Sequence, residues 1–193
     1  GKVYEAKKVI IATGSSPRLT GAKGEAELYG GRGVSTCATC DGAFYRGADV
    51  VVVGGGDTAC EEALFLSKFC ASVKIIHRRD SFRASRIMAD RVAANPKISV
   101  LWDSVVVEVK AGADGKCSAV VVENAKTGVR AEVPCRCMFA AIGHTPNTAA
   151  FAGAVETDSE GYMVARGDSG VETDVENVYV AGDCADKIFR QAI

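Results

Sequence analysis

The chain has 193 residues, 48% hydrophobic and 24% charged, with a formal net charge of −1. That length and composition suit one globular domain, or one and a fraction. The neutral balance gives no electrostatic footprint for nucleic acid or a membrane surface, and no apolar run approaches the roughly 20 residues of a membrane-spanning helix.

No signal-peptide pattern opens these residues. Residues 1–14 already have the pattern of mid-domain strand, so a piece of a longer chain is expected. Residues 8–14 form a short apolar run closed by turn residues, which predicts a strand buried on both faces. Residues 20–34, rich in glycine and weakly patterned, are expected to be a connector. They lead to Cys37-x-x-Cys40, a spacing at which two thiols close a small reversible disulfide. Beside an α/β pattern, such a pair points to redox work in a reducing compartment, the cytoplasm.

The β-branched run at 50–53 predicts a buried parallel strand. It enters Gly54-x-Gly56-x-x-Ala59, which opens a helix expected over residues 57–69 with Ala59, Ala63, Leu66 and Phe69 on its apolar face. Gly54 permits the tight turn, Gly56 lets backbone approach a pyrophosphate, and Ala59 lets helix and strand pack closely. The first amides of the helix, at Asp57 and Thr58, then face phosphates. A second strand at 73–76 completes a βαβ unit. A lone glycine fingerprint is weak, but this one has the required strand and helix around it.

The residues after the second strand select the carrier. NAD enzymes usually place a carboxylate there for the ribose 2′-hydroxyl. This chain has His77-Arg78-Arg79-Asp80, with Arg83 close behind. A carboxylate repels a 2′-phosphate, whereas arginine forks bind it by charge-assisted hydrogen bonds. The reading is NADPH over NADH; the bland alternative is a solvated basic loop.

A helix over 84–94 ends at Asn95-Pro96, as proline requires. Residues 98–101 form a strand. Residues 104–110, 116–124 and 129–133, joined by turn residues, predict an antiparallel meander. Residues 137–142 return as a buried strand, and Gly143 to Asn147 break it at a domain crossing. A last strand, 177–181, runs into Gly182-Asp183. Asp183 is placed to accept hydrogen bonds from cofactor hydroxyls, and equally placed to be an ordinary turn aspartate. Cys60 and Cys70 (helix), Cys117 (strand), and Cys135 and Cys137 (apolar strand) are expected to be packing residues. A zinc site built from Cys37, Cys40, Cys135 and Cys137 is the metal alternative, and the C-x-C spacing of the second pair argues against it.

These residues resemble the low-molecular-weight thioredoxin reductases. The match comprises C-A-T-C-D-G at 37–42, G-G-G-D-T-A at 54–59, H-R-R-D-x-F-R at 77–83, A-I-G-H-x-P-N-T at 141–148, A-G-D at 181–183 and R-Q-A-I at 190–193. It covers the whole chain in order. The resemblance implies an α/β, Rossmann-like flavoprotein in which an NADPH domain (here 20–142, with the meander) is inserted into an FAD domain (here 1–19 and 143–193). It implies electron transfer from NADPH through FAD and the Cys37/Cys40 dithiol to thioredoxin or a similar small dithiol protein, and a homodimer at full length. Cys40 takes the position of the flavin-facing thiol, Cys37 that of the thiol attacking the partner, and Asp41 that of the proton-moving acid/base. His77, Arg78, Arg79 and Arg83 correspond to the 2′-phosphate site. Thr13, Gly14 and Ile142 fall among cofactor contacts, and Asp183, Arg190, Gln191 and Ala192 among those to FAD. His144 lies in a matched motif with a hinge or packing role. The family's FAD glycine fingerprint is not among these residues, so tight FAD binding by this chain alone is not expected. Because dithiol and nicotinamide must both reach one flavin, the family rotates one domain against the other, with hinges near residues 14–33 and 143. A peroxiredoxin-reducing flavoprotein of the same build, and a nucleotide-binding unit without turnover, are the alternatives.

Overall fold

In the computed structural model, which describes residues 1–187, the chain divides into two units. One is Arg18–Gly143; the other is Gly1–Pro17 with the described residues from His144 on. The larger unit contains α1 (Glu25–Leu28), β3 (Val34–Ser35), α2 (Ala38–Asp41) and a 3-10 turn at Gly42–Tyr45. It continues with β4 (Asp49–Val53), α3 (Asp57–Ser67), β5 (Ser72–Ile76), α4 (Arg86–Ala93) and β6 (Ile98–Leu101). It ends with β7 (Ser104–Ala111), β8 (Cys117–Asn124), β9 (Arg130–Pro134) and β10 (Cys137–Ala140). The smaller unit has β1 (Val9–Ile11), β2 (Ser15–Pro17), β11 (His144–Pro146), β12 (Val178–Val180) and a 3-10 turn at Gly182–Cys184.

Five strands of the larger unit form one parallel sheet in the order β3-β10-β4-β5-β6. Strand alternation divides its side chains between two cores. Val50 and Val52 of β4, with Val73, Ile75, Cys137 and Phe139, pack under Ala59, Ala63 and Leu66 of α3 and Val92 of α4. Val51, Val53, Ile76 and Met138 point the other way, onto Val106, Val109, Val120 and Val122 of the antiparallel meander β7-β8-β9. Both faces of the sheet are covered, which is why its strands are unbroken apolar runs rather than alternating ones.

Phe139 is fully buried and meets the ring of Tyr45 edge-on, centroids 5.9 Å apart. It ties the turn after the dithiol to the centre of the sheet. Phe139→Ala is expected to cost about 3–5 kcal/mol by cavity formation. Urea denaturation measures this, and a loss under about 1 kcal/mol contradicts the packing described.

Three expectations change. Residues 20–34 are more than a connector: they contain α1 and the sheet's edge strand β3, anchored by Glu25, whose carboxylate accepts from the amides of Thr20 and Gly21 and the Thr20 hydroxyl. The strand near residues 8–14 is not buried on both faces. Val9 and Ile10 are 45% and 70% exposed and only Ile11 is buried, because β1 pairs with β12 alone in a two-stranded sheet. The helix expected over 84–94 starts at Arg86, because the Ala84 amide donates to the Gly55 carbonyl and Ser85 is held by Asp57.

Candidate functional site

A cleft of about 540 Å³ opens at the carboxyl ends of β4 and β5, lined by the glycine turn, Thr58, Arg78, Arg83, Ile142 and the start of β7. In an open parallel sheet, that end of the strands is where ligands bind. Gly54 has φ +151°, and a side chain there would strike the Ala141 carbonyl and the Ala59 methyl. A Cβ on Gly55 would enter the His77 ring. Gly56, which caps α3, has open space where its Cβ would be, so the turn is held down from below and bare above. Ala59 is fully buried against the strand.

The arginine loop folds back onto this turn: the Arg83 amide donates to the Gly55 carbonyl at 2.7 Å. Asp57 fixes the same join, its Oδ1 accepting from the Ser85 amide and hydroxyl at 2.8 Å. These two bonds hold its carboxyl below the ordinary aspartate range. Arg78, Arg79 and Arg83 are exposed, and none pairs with a carboxylate among the described residues. Asp80, the one acid in the loop, is drawn to Lys126, which also holds Asp103. Arg78 and Arg83 line the cleft; Arg79 does not, and its carbonyl accepts from the Asp103 amide.

His77 has a different part from the arginines. It is 6% exposed, lies beneath Gly55, stacks on Phe82 and donates from Nε2 to the Ser81 carbonyl at 3.0 Å. Burial pushes its imidazole below the ordinary value, and the nearby arginines add to this. Its ring forms part of the floor of the cleft. Arg18, Thr20 and Ser104 also line the cleft. They lie far from the fingerprint in sequence, and no local pattern marks them.

The dithiol occupies the N-terminus of α2. Cys37 and Cys40 are joined as a disulfide, Cα atoms 5.3 Å apart. Cys37 caps the helix: its Sγ accepts from the Cys40 amide at 3.2 Å and lies 3.3 Å from the Thr39 hydroxyl. Both are donors that would favour a thiolate on Cys37 once the bond opens. Cys40 is exposed. Asp41 accepts from the buried Ser35 hydroxyl at 2.7 Å, and Ser35 also takes the Cys37 amide at 3.1 Å. One hydroxyl therefore holds the carboxylate and the dithiol backbone in fixed relation. Ser35 opens the dithiol stretch in sequence, but its link to Asp41 needs β3 to run into α2.

Beneath this turn is a carboxyl the sequence reading missed. Glu62 of α3 has Oε1 3.5 Å from the Ala38 amide, while Oε2 is buried with no hydrogen-bond partner among the described residues. Burial pushes its carboxyl up from 4.5 to about 7. The signal was present, since Glu62 stands three residues after Ala59 and four before Leu66, on the helix's buried stripe. A raised acid favours the folded state below its unfolded value and loses that advantage as pH rises from about 4.5 through 7. A shift of that size is linked to at most about 3 kcal/mol. Glu62→Gln keeps the acceptor for Ala38 and removes the titration. Between pH 5 and pH 8, wild type should therefore lose about 1–3 kcal/mol relative to the variant in urea denaturation. Parallel stability curves contradict this.

In the smaller unit, β1 and β12 run parallel, and the loops after them converge. Gly14 has φ +71°, the Thr13 carbonyl accepts from the Asn147 side chain, and Asp183 Oδ2 accepts from the Ser15 hydroxyl at 3.2 Å. Thr13, Gly14 and Asp183 thus lie on neighbouring strand ends. Arg190, Gln191 and Ala192 lie outside the described residues. His144 begins β11, opposite Pro17. The four-thiol zinc arrangement does not form: Cys37 is bonded to Cys40, and no metal-holding group of three His, Cys, Asp or Glu exists among the described residues. Among those residues no helix is long and apolar enough to cross a membrane.

The chain is 49% identical over 193 residues to the thioredoxin reductase of Streptomyces coelicolor and 46% identical over 195 residues to that of Rickettsia felis. Each alignment covers the whole of this chain but only 59% and 62% of those relatives, so the chain spans about three fifths of their length. Among solved structures, the thioredoxin reductases of Streptococcus pyogenes and Lactococcus lactis superpose with TM-scores of 0.84 and 0.80 at 46% and 43% identity. They cover 97% and 96% of this chain, which covers 60% of each of theirs. A family model for pyridine nucleotide-disulphide oxidoreductases matches residues 1–193. With its glycine turn, its parallel sheet and its disulfide-bonded Cys37–Cys40 pair, the chain belongs to the pyridine nucleotide-disulphide oxidoreductase family.

Proposed function

We propose that this chain is the NADPH- and dithiol-bearing part of a thioredoxin-disulfide reductase, an enzyme passing two electrons from NADPH through FAD to the disulfide of a small dithiol protein such as thioredoxin. The observation carrying this reading is a disulfide on the same folded unit as a cleft edged by Arg78 and Arg83, neither of which pairs with a carboxylate among the described residues. The named relatives agree with it. The reading extends to a cytoplasmic, homodimeric full-length enzyme.

The residues fit both dinucleotides. For NADPH, the bare backbone at Gly56 and the first turn of α3 at Asp57 and Thr58 suit the pyrophosphate, and Arg78 and Arg83 suit the 2′-phosphate. Arg79 contributes charge from outside the cleft. For FAD, Thr13, Gly14 and Asp183 offer a backbone turn and a carboxylate whose Oδ1 accepts no hydrogen bond among the described residues. FAD, when bound, takes electrons arriving as hydride and releases them as a pair to sulfur. Cys40 is the sulfur that receives them, and the S–S bond breaks with Cys37 leaving as thiolate. The Cys40 amide and the Thr39 hydroxyl steady that charge. Asp41, aligned by Ser35, holds the proton that the dithiol exchanges with its surroundings. The Cys37 thiolate then attacks the partner's disulfide, forming a mixed disulfide that Cys40 resolves.

The single tryptophan provides the test. Trp102 packs on Phe82 (centroids 4.6 Å apart) and on His77 in the cleft floor, so its emission reports occupancy. Titration with NADPH and with NADH should show NADPH binding at least about tenfold tighter, a preference worth about 1.4 kcal/mol. Equal affinities sink the reading.

A further inference from the structure

Apart from the redox pair, the described cysteines are free and buried, and two of them touch. Cys117, at the start of β8, and Cys135, between β9 and β10, have Sγ atoms 3.8 Å apart. Cys117 Sγ is also 3.7 Å from the Cys135 carbonyl. Backbone hydrogen bonds fix both residues, from the Cys117 amide to the Arg32 carbonyl (2.8 Å) and from the Cys135 amide to the Ser118 carbonyl (3.1 Å). The two sulfurs must close from 3.8 Å to the roughly 2.05 Å of a disulfide for a bond to form.

A route to the pair exists. A second cavity of about 530 Å³ is lined by Gly33, Asp41, Tyr45, Arg46, Lys116 and Arg136, among others. Lys116 and Arg136 are the immediate chain neighbours of Cys117 and Cys135. Gly33, in the cavity wall, lies directly against the Cys117 Cβ, and any side chain at that position would collide with it. Gly33 thus stands between the buried Cys117 side chain and the cavity. The Cys135 thiol lowers the Cys117 thiol below its ordinary value by hydrogen bonding, and the Arg136 charge assists. The same contact, and then burial, push the Cys135 thiol up. Cys117, whose Cβ lies against Gly33 in the cavity wall, is the sulfur placed to meet an entering oxidant, with Cys135 as its partner. Cys137, two residues on, is engaged with the Tyr45 hydroxyl.

We propose that Cys117 and Cys135 form a second oxidisable dithiol, distinct from Cys37–Cys40, which a hydroperoxide entering this cavity converts to a disulfide. The Cys117 thiolate attacks one peroxide oxygen, and the O–O bond breaks. With hydrogen peroxide, hydroxide leaves and takes the Cys135 proton to become water, leaving a sulfenic acid on Cys117. The Cys135 thiolate then attacks the Cys117 sulfur, forming the S–S bond and expelling hydroxide, which takes up the proton released when Cys117 first ionised. Two thiols lose two electrons and two protons, and one peroxide becomes two waters.

The test uses the chain as isolated, with Cys37–Cys40 closed. It is exposed to graded hydrogen peroxide, denatured, alkylated and mapped without reduction by mass spectrometry. The expected result is a Cys117–Cys135 cross-linked peptide and the loss of two of the six titratable thiols. Cys60, equally buried but bonded to no thiol, should remain free at the same dose and serves as the internal control. In Cys135→Ala, dimedone should trap sulfenic acid on Cys117. If Cys117 and Cys135 stay alkylatable while Cys60 oxidises, or if the cross-link joins another pair, the proposal is overturned. The wild-type map decides this even if Cys135→Ala does not fold.

Discussion

Cys40→Ser in the FAD-loaded full-length enzyme is expected to lower NADPH-driven disulfide reduction by on the order of 10³-fold or more, with Cys37→Ser as damaging. The reason lies in the chemistry of sulfur exchange. A hydroxyl is not ionised near neutral pH and cannot form or resolve a mixed disulfide. A loss of 10³ corresponds to about 4 kcal/mol of transition-state stabilisation. The two variants should differ in what survives. Cys37→Ser keeps Cys40 at the electron-receiving position but has no thiolate to attack a partner. Cys40→Ser keeps the Cys37 thiolate, steadied by the residue-40 amide and Thr39, and should form a trapped mixed disulfide with the partner, because nothing resolves it. Steady-state turnover and a non-reducing gel read the two effects separately. Near-normal turnover in either variant is incompatible with the account.

The second large effect concerns the carrier. Arg78→Gln with Arg83→Gln should weaken NADPH binding by about 10²-fold or more, since each charge-assisted hydrogen bond to a phosphate is worth roughly 1.5–3 kcal/mol. NADH binding should change by no more than about threefold, because the pyrophosphate site at Gly56 and the first turn of α3 is untouched. Arg79→Gln should matter less than either, since Arg79 stands outside the cleft. Trp102 emission again provides the reading. Equal loss for both carriers would assign the arginines to general electrostatics rather than to the 2′-phosphate.

Much of this was legible from local pattern because the larger unit is made of local patterns. The valines of β4 and the fingerprint after them lie within one βαβ stretch, and the structure sets the fingerprint at the mouth of a cleft. Burial on both faces of the sheet accounts for the unbroken apolar strands. What sequence could not show was geometry assembled from distant segments. Ser35 reaches Asp41 only because β3 joins the sheet edge beside β10 and turns into α2. Arg18 and Ser104 line the cleft from positions far apart in the larger unit's sequence. His77 was placed with the arginines by the matched motif, and its burial under Gly55 depends on how the loop folds back. Strand β1 was judged buried on its apolar character alone, but burial on both faces requires neighbours, and it has one. The cysteines were rightly expected to be packed, yet no spacing rule announces that Cys117 and Cys135 come within 3.8 Å across the end of the meander.

The central claim is that reducing equivalents from NADPH arrive at Cys37–Cys40. Its most direct measurement is made anaerobically on the FAD-loaded full-length enzyme, with no partner protein present. One equivalent of NADPH is added, free thiols are alkylated, and the modified cysteines are identified by mass spectrometry. The account predicts two new alkylated thiols per NADPH consumed, at positions 37 and 40, and none elsewhere. NADPH consumed with that bond still closed would contradict it.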